Sequence, residues 1–200
     1  MLKKLINDFY MFETNCIGNK PVFIEVGSFT GKNAIELRTN YPDSRTTIYE
    51  ASKVNYKILC KNIPKMFIKD GSISIAKKAV LDRHGTILFH DFTTKSSNSI
   101  FTRAQEKKSE LSQYKVRVVD ILEVITEPIS VLFLNCEGSE IGILNRLIER
   151  AENNESVKQI AVEFHPKITG SGTKKATIER AKKYYIVENI AKECYLMIRK

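Results

Sequence analysis

The chain has 200 residues, 42% of them apolar and 28% charged, which excludes a disordered or collagen-like polypeptide and fits a single globular domain. There are 32 Lys and Arg against 23 Asp and Glu, a formal net charge of +9, so an anionic partner, substrate or surface is expected. No run approaches the roughly 18 consecutive apolar residues of a membrane helix, and the length leaves no room for a catalytic domain plus a large separate substrate domain.

The first twelve residues, MLKKLINDFYMF, lack the continuous apolar centre and small-residue cleavage site of a signal peptide. Leu2, Leu5, Ile6 and Phe9 recur at helical spacing, so residues 1–20 are expected to carry an amphipathic N-terminal helix packed on the domain. PVFIEV (21–26) is a short apolar run and reads as a buried strand. Residues 31–40 read as a helix, TTIYE (46–50) as a strand, and 53–62 as a helix that stops before Pro64. ISIAKKAV (73–80) alternates like a single strand. ISVLFLN (129–135) is the most apolar run and reads as a central strand, followed by a helix over 139–151 and a strand at IAVEF (160–164). Residues 173–183 look helical, and YYIVEN and CYLMIRK suggest a closing antiparallel pair.

Strands that alternate with helices and read as continuous apolar runs predict an α/β fold: a mostly parallel seven-stranded sheet, Rossmann-like, with helices on both faces. Residues 84–128 break the pattern. TILFHDF and VRVVDILEVI frame a polar stretch there, and the segment is expected to be an insertion, a hairpin plus a loop on the acceptor side. Cys16, Cys60, Cys136 and Cys194 form no metal-type pair, and His84, His90 and His165 make no zinc pattern with them. Buried, reduced thiols in a cytoplasmic protein are expected.

Ligands of doubly wound sheets bind at the carboxyl ends of the strands. The first strand runs into Glu25-Val26-Gly27-Ser28-Phe29-Thr30-Gly31. Gly27 and Gly31 allow a tight turn and close approach of a ligand, and the following helix N-terminus offers free N–H groups. The spacing is not the dinucleotide fingerprint, and Glu25 is a poor neighbour for a pyrophosphate. It suits an ammonium or a sulfonium. Glu50 follows the second strand, where a carboxylate can accept both hydroxyls of a ribose. A nucleoside joined to a cationic amino acid without phosphate is S-adenosyl-L-methionine. Glycines and acidic residues continue past the later strands as Asn135-Cys136-Glu137-Gly138-Ser139-Glu140 and Glu163-Phe164-His165.

Over about residues 20–165 the chain resembles the FkbM-type methyltransferases. EVGSFTG fits that family's first motif, with Phe29 where most other methyltransferases carry a glycine. Asn135 to Glu140 matches its fourth-strand signature, in which the first residue is usually acidic, and Glu163-Phe164-His165 matches the motif after the fifth. Phe133 replaces a common lysine, and Glu50-Ala51 replaces Glu-Pro. The resemblance implies a class I methyltransferase whose cofactor would be held by Glu25, Gly27, Ser28, Thr30, Gly31, Glu50, Ala51, Ser52, Ala79 and Asn135. It implies O-methylation of a sugar hydroxyl in a glycan, glycolipid or nucleotide-sugar, a deoxyhexose among the candidates. The acceptor side would include Ser96, Ser97, Asn98, Glu137 and His165.

An alcohol must lose its proton as the new bond forms. His165 is the first candidate base, because its ordinary pKa of about 6.5 suits neutral pH. Glu137 is the rival, and Asp91 could reach the site if the insertion folds over it. Glu140 more plainly supports the first turn of its helix. Asn135 removes one charge from the cluster that could gather Mg²⁺, so no metal is expected. The implied partners are a small-molecule or glycan acceptor, with a neighbouring glycosyltransferase domain or a second copy. The alternatives are an RNA methyltransferase or RNA-binding module that uses the basic face, and a non-catalytic partner domain with a methyltransferase fold. Nucleic acid is disfavoured by the lack of an aromatic platform among the basic residues. Residues 173–200 hold eight Lys or Arg against three Asp or Glu, so +5 of the charge lies in the last helix and hairpin.

Overall fold

The structure, a computed structural model, describes residues 3–6, 10–92, 99–100, 110–151 and 156–200, with backbone alone for 3–6, 110 and 111. The chain opens on a hairpin, β1 (Lys3–Ile6) and β2 (Tyr10–Glu13), with Lys3 opposite Glu13. The expected N-terminal helix is not formed by these residues. Tertiary contacts override the helical spacing. Tyr10 and Phe12 alternate onto the sheet, where Phe12 meets Phe23, Tyr41 and Phe133 at ring distances of 6.1, 6.1 and 6.2 Å. Further along β2, the buried Gln159 side chain accepts from Glu13 N at 2.7 Å and donates to Glu13 O at 2.9 Å.

β3 (Val22–Val26), α1 (Lys32–Asn40), β4 (Arg45–Tyr49), α2 (Lys53–Asn62), α3 (Lys65–Lys69) and β5 (Ile73–Ala76) follow as a parallel run. Ser52 caps α2 by accepting from Asn55 N at 3.1 Å. The expected strand 73–80 is two strands. It breaks at Lys77-Lys78, where Lys78 N turns back to Ala76 O, and β6 (Ala79–Leu81) joins a separate sheet. There β7 (Gly85–Phe92) pairs antiparallel with β8 (Glu110–Asp120), and β6 pairs parallel with β8.

After α4 (Ile121–Val124) the chain returns to the centre as β9 (Val131–Leu134), all four residues buried. α5 (Glu140–Arg150), β10 (Gln159–Glu163), α6 (Pro166–Thr169), α7 (Ser171–Ala181), β11 (Tyr185–Ala191) and β12 (Cys194–Arg199) complete it. The main sheet has seven strands in the order β11-β12-β10-β9-β3-β4-β5, with β12 antiparallel to both neighbours. This is the doubly wound sheet expected from the sequence.

Both faces are covered, so β3 and β9 must be apolar on both sides. On one face Ile24, Leu132, Leu134, Ile160 and Val162 pack with Ile143, Leu144 and Leu147 of α5. On the other, Phe23, Val131, Phe133 and Ala161 pack with Leu37 of α1 and with Tyr10 and Phe12 of β2. Each such Leu, Ile or Phe contributes about 1.5–3 kcal/mol by leaving water. All four cysteines are free. Cys194 is buried, Cys16 and Cys136 are half-buried, and Cys60 is exposed, so the expected burial holds for one. Among the described residues no helix is long and apolar enough to cross a membrane.

The strand order reverses between β3 and β9. Turns at the carboxyl ends of these two strands diverge and leave a crevice, the place where open α/β sheets take ligands.

Candidate active site

At that crevice lies a cleft of about 580 Å³. Gly27 and Asn135 meet at its floor. Gly27 has φ +80°, and a Cβ there would fall 1.9 Å from the Asn135 carbonyl oxygen. Only glycine fits, for both conformation and space. Gly31, φ +79°, is excluded from substitution by Ile63 and Leu59 of the α2 end, 2.7 and 2.9 Å from a built Cβ. It sits behind the wall and packs α1 against α2.

Glu25 also lies beneath the cleft. Its buried carboxylate accepts from Ser28 Oγ at 2.7 Å and Asn33 Nδ2 at 2.6 Å, and so aims two residues that do line the cleft. Burial raises its pKa to about 7 against these hydrogen bonds. Glu50 closes β4 and does line the cleft. It accepts from Ser52 N at 2.9 Å and Phe29 N at 3.2 Å, and burial lifts its pKa to about 7 as well. The bond to Phe29 N supports a backbone at φ +54°, a left-handed conformation that costs a side-chain-bearing residue roughly 1–2 kcal/mol. Phe29 therefore holds a backbone conformation that glycine adopts without this cost.

Ser28, Thr30, Ala51, Ala79 and Asn135 line the cleft. Ser52 does not. It caps α2 and donates through Oγ to Asp91 Oδ1 at 2.8 Å. Asp91 is buried on β7, and its Oδ2 accepts from Tyr114 OH at 2.9 Å. Both oxygens are thus engaged in pinning the β7–β8 hairpin to the α2 N-terminus. Asp91 lies outside the cleft lining, which corrects its expected place as a base. The hairpin brings Phe89 to the cleft, where it forms an apolar end with Ala51, Ala79, Val80 and Ile100. Ser96, Ser97 and Asn98 lie outside the described residues.

The opposite end is ionic. His165 stands between two carboxylates, Nδ1 3.0 Å from Glu140 Oε1 and Nε2 3.4 Å from Glu137 Oε1. Burial opposes its charge, but the hydrogen bonds to Glu137 and Glu140 outweigh it and raise the pKa to about 10. The ring is therefore an imidazolium at neutral pH, donating from both nitrogens, and holds no free lone pair for a proton. This corrects its expected role as base. Glu140, fully buried, accepts from Cys136 N at 2.7 Å and Gly138 N at 2.9 Å, which ties the turn to the first residue of α5 as its position suggested. Glu137 carries φ +53°. Its carbonyl accepts from Ser99 Oγ at 2.9 Å, so both its side chain and its backbone are held.

Tyr10, Lys78, Phe89 and Glu163 also line the cleft, and none of them was assigned to the site from the sequence. Glu163 was visible as a strand-end carboxylate. Tyr10 was hidden by the helical reading of its segment. Among the described residues no group of three or more His, Cys, Asp or Glu is arranged to hold a metal ion.

No family model matches the chain, and no curated protein matches it. Solved structures do. The methyltransferase FkbM from Methylobacillus flagellatus KT superposes with a TM-score of 0.58 at 11% identity, over 90% of this chain and 44% of that one. The human methyltransferase 10 domain containing protein gives 0.53 at 9% identity, over 94% and 75%. A fibrillarin/Nop5p complex gives 0.53 at 9% identity, over 92% and 74%. The chain has the class I methyltransferase fold. It spans less than half the length of the FkbM structure. The strand order fits this fold.

Proposed function

We propose that the protein is an FkbM-type O-methyltransferase that uses S-adenosylmethionine and acts on a sugar hydroxyl. The observation that carries this reading is Glu50 at the carboxyl end of β4, in a cleft whose one end is apolar and whose other end holds Glu137 and Glu163. A nucleoside fits the apolar end, with its ribose hydroxyls donating to Glu50. A positive charge fits the other end, whereas a pyrophosphate would meet carboxylates there. The Gly27 turn, which no Cβ can enter, lets the ligand approach the backbone.

S-adenosylmethionine, when bound, supplies a methyl group on a positively charged sulfur. The chain then has to align a hydroxyl with that methyl and take its proton. Alignment supplies several kcal/mol of the barrier lowering. Glu137 is the base, because it is the carboxylate of the His165 cluster that lines the cleft, Glu140 being buried behind it. His165 is a positioning residue that holds Glu137 by a charge-assisted hydrogen bond. The acceptor class rests on the sequence resemblance.

Calorimetry with S-adenosylhomocysteine tests the cofactor site. Glu50→Ala removes a charged acceptor for two hydroxyls and is expected to weaken binding by about 30-fold or more. Unchanged affinity in the folded variant would sink the assignment. Label transfer from S-adenosylmethionine to a panel of monosaccharides, deoxyhexoses included, then identifies the acceptor.

A further inference from the structure

Glu163 ends β10 at the cleft and takes no part in the proton transfer assigned to Glu137. Its Oε2 accepts from Asn135 Nδ2 at 2.8 Å. Tyr10 lines the same end of the cleft, beside Asn135 and Glu163. The Tyr10 ring stands edge-on to Phe133 at 5.4 Å, so it is fixed from below. Tyr10, Asn135 and Glu163 all line the cleft, and they come from three separate strands or strand ends.

This arrangement explains the residue at 135. An aspartate there would face Glu163 as a like charge, and the pair would tend to hold a proton between them. The neutral amide instead donates an N–H to Glu163. One carboxylate charge remains, fixed in orientation, beside an aromatic ring. A carboxylate and an aromatic ring both attract a compact cation and give a neutral thioether much less. With the nucleoside at the Glu50 end, the charged sulfur lies toward this end.

We propose that Glu163, held by Asn135 and flanked by Tyr10, recognises the positive sulfur of the methyl donor and so distinguishes S-adenosylmethionine from S-adenosylhomocysteine. This inference rests on the methyltransferase reading above. It gives the site a way to release its product, because methyl transfer removes the charge that Glu163 holds.

Calorimetry on the intact protein at pH 8 tests it, with S-adenosylmethionine, S-adenosylhomocysteine and sinefungin, whose amine carries a positive charge in place of the methylated sulfur. The wild type is expected to prefer both cations over S-adenosylhomocysteine. Glu163→Gln should weaken the two cations about tenfold and leave S-adenosylhomocysteine within about twofold, a tenfold loss being about 1.4 kcal/mol. Equal weakening of all three ligands, or no change, overturns the inference. A wild type that binds S-adenosylhomocysteine without any preference for the cations also overturns it alone. A wild type that binds none of the three overturns the methyltransferase reading itself.

If Glu163→Gln fails to fold, the wild-type preference measured from about pH 4 to 8 replaces it, a series that starts below the ordinary carboxylate value from which burial raises Glu163. The preference should rise as Glu163 loses its proton, and a flat ratio overturns the inference. The ionisable groups around Glu163 are His165 beyond its own strand, Glu137 and Glu140 from the β9–α5 turn and helix, Tyr10 from β2 and Cys194 from β12. His165 keeps its charge across that range.

Discussion

Between Glu137 and Glu140, the His165 ring has a carboxylate acceptor at each nitrogen. Its raised pKa means that the folded state binds this proton more tightly than the unfolded chain. The stabilisation is fully present below the unfolded value of about 6.5. It is lost as the pH rises through about 10. The Hε1 resonance of His165 is therefore expected to titrate near pH 10 in an NMR series, and a midpoint near 6.5 would restore His165 as a base. The sequence placed His165, Glu137 and Glu50 at strand ends, because parallel strands carry their ligand-facing residues there. It did not separate residues that face the cleft from those that brace it. Glu25, Ser52 and Asp91 are all close to the site, yet each turns inward to hold a neighbour, and Gly31 lies against Ile63 and Leu59 behind the wall. That distinction depends on side-chain direction and partners many residues away. Tyr10 lay beyond such reasoning, since a phenol delivered from the start of the chain has no spacing relation to the strand ends.

The β1–β2 hairpin shows how an element can be misread while its neighbours are legible. Helices such as α5 have long apolar periodicity, and β9 is a short run buried on both faces, so each declares itself. In residues 2–9 the apolar positions fall at helical spacing, whereas Tyr10 and Phe12 alternate as in a strand. The conflict is resolved by Gln159, whose amide pairs with both backbone groups of Glu13 and substitutes for a neighbouring strand. Gln159→Ala would leave a buried N–H and C=O without partners, at a cost of about 2–4 kcal/mol. Urea denaturation should show a correspondingly lower midpoint with an unchanged slope. An unchanged midpoint would mean that the aromatic contacts of Phe12 alone seat the hairpin. The break at Lys77-Lys78 was similarly hidden, because β6 adds only three apolar residues to the run and its pairing in a second sheet is what separates it from β5.

At the scale of the whole molecule, two buried carboxylates set the response to pH. Glu25 and Glu50 have pKa values raised to about 7, so the folded state keeps protons that the unfolded state loses near 4.3. Their stabilisation is full below that unfolded value and disappears as the pH rises through about 7. The melting temperature of the ligand-free protein is expected to fall between about pH 5 and 6.5, where His165 is charged in the folded and the unfolded chain alike and adds nothing to the slope. The shift produced by S-adenosylmethionine should grow over the same range. A ligand-free melting temperature that is flat in this window would mean that the two carboxylates are solvated.

The basic surface is partly neutralised from within. Lys174 pairs with Glu193 at 2.6 Å and Lys182 with Glu179 at 2.7 Å, as suits a solvated face. What remains still gives the molecule a formal charge of +9, while the end of the cleft around Tyr10 gathers Glu137, Glu140 and Glu163. A positively charged visitor is thus repelled at a distance and attracted on arrival. Salt acts unequally on the two effects. Mobile ions screen the outer repulsion within about 8 Å at physiological ionic strength, and they reach the enclosed carboxylates far less. Added salt, which weakens most charge-guided encounters, would ease the approach to this one.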